Sequence, residues 1–284
     1  MTPIRLALVD MDGTLLSTDQ VIVSERNMNA LRMLHDRGCE IVPCTGRVVD
    51  MLPPQLLDAP FIRYVVSCHG ARVYDRVAGR TIYEDIISPA DSCRVLRSFE
   101  GLGLYAEVAA NHTIYIEENV EKNLLRCPPV PPHHVWYMCQ ERAFTAFPCL
   151  SRAFAEQDIG IEKVNIYGIP EDLQQQVYDR ISATGVIRHT RGAAARDLEF
   201  SPKGMDKERA MEALLRHLGL TYQETFAIGD SSTDVDVIRK ARIGIAMGNA
   251  PASIKAAADA VTIPNTEDGF AWAVEQYVLP EVNA

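Results

Sequence analysis

From Ile4 to Val9 the chain is almost wholly apolar, and the run stops at Asp10-Met11-Asp12-Gly13-Thr14. A short run without polar alternation is what a parallel strand covered on both faces requires. In open α/β sheets ligands sit beyond the carboxyl ends of such strands, so Asp10 and Asp12 fall where chemistry is done. If the backbone stays extended through Met11, the period of two aims both carboxylates the same way. That crowding costs free energy unless a proton or a cation relieves it. The expected relief is Mg²⁺, which takes oxygen ligands and needs only one or two carboxylates beside phosphate and water. One carboxylate can then attack phosphorus, while the other handles the protons of the leaving group and of water. Gly13 frees the backbone for a sharp turn beside a ligand. Taken alone, the stretch also reads as an Asp-Gly turn with a helix cap.

The same pattern recurs along the chain. Cys39 to Cys44 runs into Thr45-Gly46-Arg47, and Tyr64 to Ser67 into Cys68-His69-Gly70-Ala71. Thr225 to Gly229 ends at Asp230, Ile243 to Ala246 at Met247-Gly248-Asn249, and Ala260 to Ile263 at Pro264-Asn265. Helical patterns lie between these runs. Ser24 reads as an N-cap before Met28, Leu31 and Leu34, and Asp206 caps a helix from Lys207 to Leu218 with Ala210, Met211, Leu214, Leu215 and Leu218 on one face. Asp268 to Val278 reads as a closing helix. Strand, turn and helix in succession predict an α/β fold, a Rossmann-like doubly wound parallel sheet. Ala71 to Glu84 reads as a hairpin around Val77-Ala78-Gly79 that leads out of it.

From Asp85 to His189 the character changes to α+β. Helical patterns at Ala90 to Phe99 and Glu171 to Thr184 mix with strand-like runs at Tyr105 to Ala109, Thr113 to Ile116 and Lys163 to Tyr167. The Pro-rich piece Cys127 to His134 reads as a loop. The expected organisation is a catalytic core of residues 1–84 and 190–284 with an inserted α+β cap domain at 85–189.

The 284 residues are long enough for one large domain or two moderate ones. A formal charge of -10 argues against nucleic-acid binding, which rewards clustered Lys and Arg, so an anionic substrate must be met by a local site. No apolar stretch approaches the ~20 residues a membrane helix needs, and Met1-Thr2-Pro3-Ile4-Arg5 shows no signal-peptide pattern. Seven cysteines without a Cys-x-x-Cys pair read as thiols in a reducing compartment, so a cytoplasmic location is expected.

Several strand and helix ends thus carry residues suited to phosphate chemistry. Thr45 offers a hydroxyl, Arg47 a planar fork for an anion, and Lys207 a fixed positive charge beside a transferring phosphoryl group. Asp230 can complete a metal site, with Asp234 hydrogen-bonding behind it. The alternatives are a helix N-cap at Thr45, a surface arginine, an exposed first-turn lysine and an ordinary cap at Asp234.

Asp10-Met-Asp-Gly-Thr14 resembles motif I of the haloacid dehalogenase superfamily, Thr45-Gly-Arg47 motif II, Lys207 the motif III lysine, and Gly229-Asp-Ser-Ser-Thr-Asp234 motif IV, in the superfamily's chain order. The placement of the insert, with Thr-Gly-Arg, Gly-Ala-Arg-Val-Tyr and Ala-Met-Gly-Asn-Ala, is similar to the Cof-type branch with its C2 cap. The resemblance implies a Mg²⁺-dependent phosphatase of small phosphorylated metabolites such as sugar phosphates. It makes Asp10 the nucleophile and Asp12 the acid/base. It implies Mg²⁺ on Asp10, the Asp12 carbonyl and Asp230, with Gly13, Thr14, Gly46, Arg47, His69 and Asn249 lining the phosphate or substrate site. Three positions depart from the pattern or compete within it. Thr233 stands where the family usually has Asn, His69 where the branch usually has Asn, and Lys203 competes with Lys207. Asn165 and the Pro128 to His134 loop are the expected specificity contacts of the cap. A phosphomutase with the same nucleophile and a non-catalytic phosphometabolite sensor are the rival readings.

Overall fold

The computed structural model describes residues 3–118, 130–140, 143–191 and 196–282. Their contacts divide the chain into two units, one of residues 1–47, 52–84 and 206–284, the other of residues 48–51 and 85–205.

The first unit is built on a parallel sheet. Strand β1 (Leu6–Val9) is buried along its whole length because it is flanked on both sides, by β2 (Glu40–Pro43) and by β12 (Thr225–Gly229). Beyond β12 lie β13 (Ile243–Ala246) and β14 (Ala260–Val261), giving the order β14-β13-β12-β1-β2. A parallel bridge from Cys44 to Val66 continues the array toward β3 (Tyr64–Ser67). With β4 (Arg72–Asp75) and β5 (Arg80–Glu84), β3 forms an antiparallel sheet of three, the expected hairpin. From β1 the chain passes to β2 on one side and later to β12 on the other, which makes the carboxyl end of β1 the switch point where α/β sheets bind ligands.

The helices around this sheet start where their caps predict. Ser24 Oγ accepts from the Asn27 N–H ahead of the helix Glu25–His35, and Asp206 accepts from the Glu208 N–H ahead of the helix Lys207–Leu218. Ala210, Met211, Leu214 and Leu215 are buried as the apolar stripe requires, while Leu218 is half-buried. The closing helix begins at Gly269 rather than Asp268, whose backbone is left-handed with φ 59°.

The second unit holds a six-stranded sheet of order β10-β11-β9-β6-β7-β8. Its strands are β6 (Tyr105–Ala110), β7 (Thr113–Glu117), β8 (Phe144–Phe147), β9 (Lys163–Tyr167), β10 (Ile187–Arg191) and β11 (Leu198–Pro202). Ala106, Val108, Val164, Ile166 and Phe200 share an apolar core with Val95, Leu96, Phe154, Val177 and Ile181 from helices Pro89–Phe99, Leu150–Gln157 and Gln174–Ser182. The period of two puts Tyr105, Glu107, Lys163, Asn165, Tyr167 and Glu199 on the other face.

Two expectations are corrected. The boundary at residue 190 fails because β11 pairs with β9 and β10, which keeps the chain in the second unit through Met205. The Pro-rich piece is not loop throughout: Pro132 opens a helix, Pro132–Cys139, because proline's missing N–H costs nothing in the first turn. Cys127 to Pro129 lie outside the described residues. No helix among the described residues is long and apolar enough to cross a membrane.

Candidate active site

Lys207 draws the carboxyl-end loops together. Its ammonium donates to Asp10 Oδ1 at 2.9 Å, to the Cys44 carbonyl at 2.8 Å and to Asp234 Oδ1 at 2.6 Å. Three acceptors saturate the three N–H bonds. The side chain is 1% exposed, so the reading as a surface lysine fails, while the competitor Lys203 is exposed.

Asp234 serves two elements at once. Its other oxygen accepts from the Ser231 N–H at 3.0 Å and the Ser231 hydroxyl at 2.7 Å, closing a capping box at the turn after β12. The same carboxylate thus closes a helix cap and holds Lys207. Asp230 joins them: one carboxylate oxygen from each of Asp10, Asp230 and Asp234 lies within 4.8 Å of the others.

Three carboxylates around one ammonium leave an excess of negative charge. Burial, and then the Asp234 charge, push the Asp10 carboxyl up to about 8 against the pull of Lys207. Burial and Asp234 likewise push Asp230 up to about 6. Burial alone would lower Lys207, but Asp10 and Asp234 outweigh it and hold the ammonium charged well above the usual lysine range.

This donor set fits Mg²⁺: hard carboxylate oxygens, converging, and short of positive charge. The turn at Gly13 fits it too. Gly13 has φ 77°, and a Cβ there would stand 2.3 Å from Asp230 Oδ2, so only glycine lets the loop close against that carboxylate.

Asp12 diverges from Asp10. Its backbone, at φ -75° and ψ 121°, precedes the Gly13 kink. Its carboxylate is gripped by Arg47, with Nε on Oδ2 at 2.8 Å and Nη2 on Oδ1 at 2.5 Å. The two acids therefore do not share one cluster, and the arginine fork expected to meet an anion meets Asp12.

The remaining expected residues hold these loops in place. Thr45 is fully buried, its hydroxyl accepting the Arg47 N–H at 3.1 Å as a cap would. The His69 ring lies over Gly46, where a Cβ would stand 2.3 Å from ring carbon Cε1, and the His69 N–H donates to the Thr45 carbonyl at 2.8 Å. Asn249 donates to the Gly13 carbonyl at 2.8 Å and to Asp230 Oδ2 at 3.3 Å. Thr14 is fully buried and its hydroxyl finds no partner among the described residues. The Thr233 hydroxyl lies 2.8 Å from the Ser231 hydroxyl.

Sequence reasoning did not assign Asn265 and Asn27. Asn265 donates its N–H to Asn249 Oδ1 at 3.0 Å and its amide to the Leu16 carbonyl at 2.8 Å. Buried Asn27 donates to the Leu15 carbonyl at 2.9 Å and accepts from the Ala271 N–H at 3.1 Å. Asn265 stood at a strand end and was findable there, whereas Asn27 looks like any polar helix residue.

A family model described as haloacid dehalogenase-like hydrolase matches residues 7–274, and the chain belongs to that family. It is 29% identical over 287 residues to Phosphatase YwpJ of Bacillus subtilis (strain 168), covering 94% of this chain and 97% of the relative. It is 25% identical over 276 residues to the 5-amino-6-(5-phospho-D-ribitylamino)uracil phosphatase YcsE of the same strain, covering 97% and 96%. An HMP-PP phosphatase from Enterobacter sp. (strain 638) is 29% identical over 252 residues, covering 87% and 85%. Among solved structures, a haloacid dehalogenase-like hydrolase from B. subtilis matches with TM-score 0.72 and 27% identity, covering 96% of this chain and 100% of the other.

Proposed function

We propose that the chain is a Mg²⁺-dependent phosphoric monoester hydrolase acting on small phosphorylated metabolites. The observation that carries the reading is the junction at Lys207, which ties Asp10 to Asp234 beside Asp230. Relatives with phosphatase names covering nearly the whole chain support it.

In this reading Lys207 holds one oxygen of Asp10 and fixes the rotation of its carboxylate. Asp10 attacks phosphorus, the ester P–O bond breaks, and the departing alkoxide takes a proton from Asp12. Asp12, now a carboxylate, takes a proton from water. The hydroxide formed attacks the same phosphorus, breaks the aspartyl–phosphate bond and restores Asp10. Mg²⁺, held by Asp10, Asp230 and the Asp12 carbonyl, would supply charge neutralisation at the phosphoryl oxygens.

The inserted unit is assigned recognition of the organic part of the substrate. Support comes from its polar sheet face, where Glu107, Asn165 and Glu199 stand in one row across β6, β9 and β11. Glu107, 1% exposed, accepts from the Tyr105 hydroxyl at 2.8 Å and lies 2.7 Å from His134 Nδ1. Lys163 pairs with Glu199 at 3.3 Å.

A panel of small phosphate esters with and without Mg²⁺ tests the assignment. Inorganic phosphate release is expected with Mg²⁺, and in Asp10→Asn turnover falls by ~10⁴-fold or more with folding retained. Undiminished release by Asp10→Asn refutes the nucleophile. Isomerised ester without free phosphate makes the protein a mutase.

A further inference from the structure

Arg47 closes on two of the protein's own groups. Its guanidinium takes both oxygens of Asp12, at 2.8 and 2.5 Å, and the same Nη2 donates to the Gln20 carbonyl at 2.6 Å. The side chain is 4% exposed, whereas Asp12 is 36% exposed. A buried fork closed on a half-open carboxylate aims that carboxylate.

The second contact anchors the grip. Gln20 has φ 55°, in a loop closed by a Leu16 to Val23 bridge and by Asp19 Oδ1, which accepts the Val21 and Ile22 N–H groups at 2.9 and 3.2 Å. At the other end, Arg47 is fixed through its backbone, its N–H donating to the Thr45 hydroxyl and its carbonyl accepting the Cys68 N–H at 3.0 Å.

We infer that Arg47 is a positioning residue for the acid/base Asp12, not a ligand for the substrate's phosphate. This rests on the reaction proposed above. Asp12 has two tasks in it, protonating the leaving alkoxide and deprotonating water, and each requires the carboxyl group to point at one place. A lysine can neutralise Asp12 but cannot fix it on two oxygens.

The test is rapid mixing of Arg47→Lys, Arg47→Gln, Asp12→Asn and the Asp12→Asn/Arg47→Lys double variant with p-nitrophenyl phosphate and with an alkyl phosphate, in Mg²⁺. Nitrophenolate leaves without a proton, so Asp10 still attacks, while hydrolysis of the aspartyl-phosphate lacks its base. Arg47→Lys is therefore expected to give a burst of one nitrophenolate per chain, then turnover slowed by ~10²-fold, within the range of general acid–base contributions. KM falls together with kcat because the aspartyl-phosphate accumulates, so kcat/KM for p-nitrophenyl phosphate stays within about threefold, no burst occurs with the alkyl ester, and the double variant is no slower than Asp12→Asn. A tenfold rise in KM with kcat unchanged, or losses that multiply in the double variant, overturns the inference. If Arg47→Lys does not fold, Arg47→Gln is read in its place. Failure of both to fold while Asp12→Asn folds makes Arg47 purely structural and also overturns it. Undiminished turnover in Asp12→Asn sinks the proposed reaction itself, a separate result.

Discussion

The two large sheets carry their polar residues in different places. In the parallel sheet β1 is apolar throughout and charged groups stand just past the ends of β1 and β12, at Asp10 and Asp230. In the six-stranded sheet they lie on one face, at Glu107, Lys163, Asn165 and Glu199, back to back with an apolar core. Geometry accounts for the difference. Strands apolar on both faces have only their ends left for charged groups, whereas a sheet whose apolar core covers one face can hold polar side chains along the other. If this division also separates reaction from recognition, damage at a strand end slows every substrate alike, and damage on the polar face changes which substrate is preferred.

The largest effect is expected at the strand ends. Lys207→Met should lower turnover by ~10³-fold on any phosphate ester, in line with loss of a preorganised charge. It should also destabilise the fold by about 3–5 kcal/mol, since buried Asp234 loses its counter-charge and Asp10 its hydrogen-bond donor. Phosphate release and denaturant unfolding measure the two, and a substrate-dependent loss breaks the comparison.

Next come Glu107→Gln and Asn165→Ala. Each should change kcat/KM between preferred and poor metabolite esters by ~10–100-fold while p-nitrophenyl phosphate stays within about threefold. Equal losses on every ester would mean that the polar face belongs to the chemistry.

A smaller effect separates charge crowding from catalysis. The folded Asp10 carboxyl, pushed up to about 8, holds its proton more tightly than in the unfolded chain, where the value is near 3.8. That contribution is fully present below the unfolded value and is lost as pH rises through the folded one. In excess EDTA the melting temperature should therefore fall between pH 4 and 8 more steeply in the parent than in Asp10→Asn, and Mg²⁺ should reverse the fall at pH 8. Parallel melting curves for the two proteins would refute the crowding. Lys203→Ala, at an exposed position, should change neither stability beyond about 0.5 kcal/mol nor activity.

The contrast also explains what could be read from the chain. Continuous apolar runs with polar ends announce both a buried strand and its functional end, so Asp10, Thr45, Asp230 and the capped helix at Lys207 were legible. The partners were not. That Asp12 turns to Arg47 instead of joining Asp10 depends on the backbone leaving the extended form at Met11, and the Cys44 and Gln20 acceptors are backbone carbonyls that no residue type advertises. On the polar face, Glu107 sits in a strand whose alternation looks half-exposed. Its burial follows from register and from a helix that begins inside a proline run. The boundary at residue 190 failed for a related reason, because β11 finds its neighbours by pairing and not by composition.

One consequence follows from the position of β1. Its neighbour β12 meets it through Leu6 and Thr225, so more than two hundred residues, including the whole inserted unit, are synthesised between them. β1 is thus made long before its second neighbour, with one flank uncovered and Asp10 without its lysine until the chain has passed Lys207. A nascent chain stopped before that point holds Asp10 but neither its counter-charge nor the second neighbour of β1, so the site cannot assemble until the chain has been built past β12.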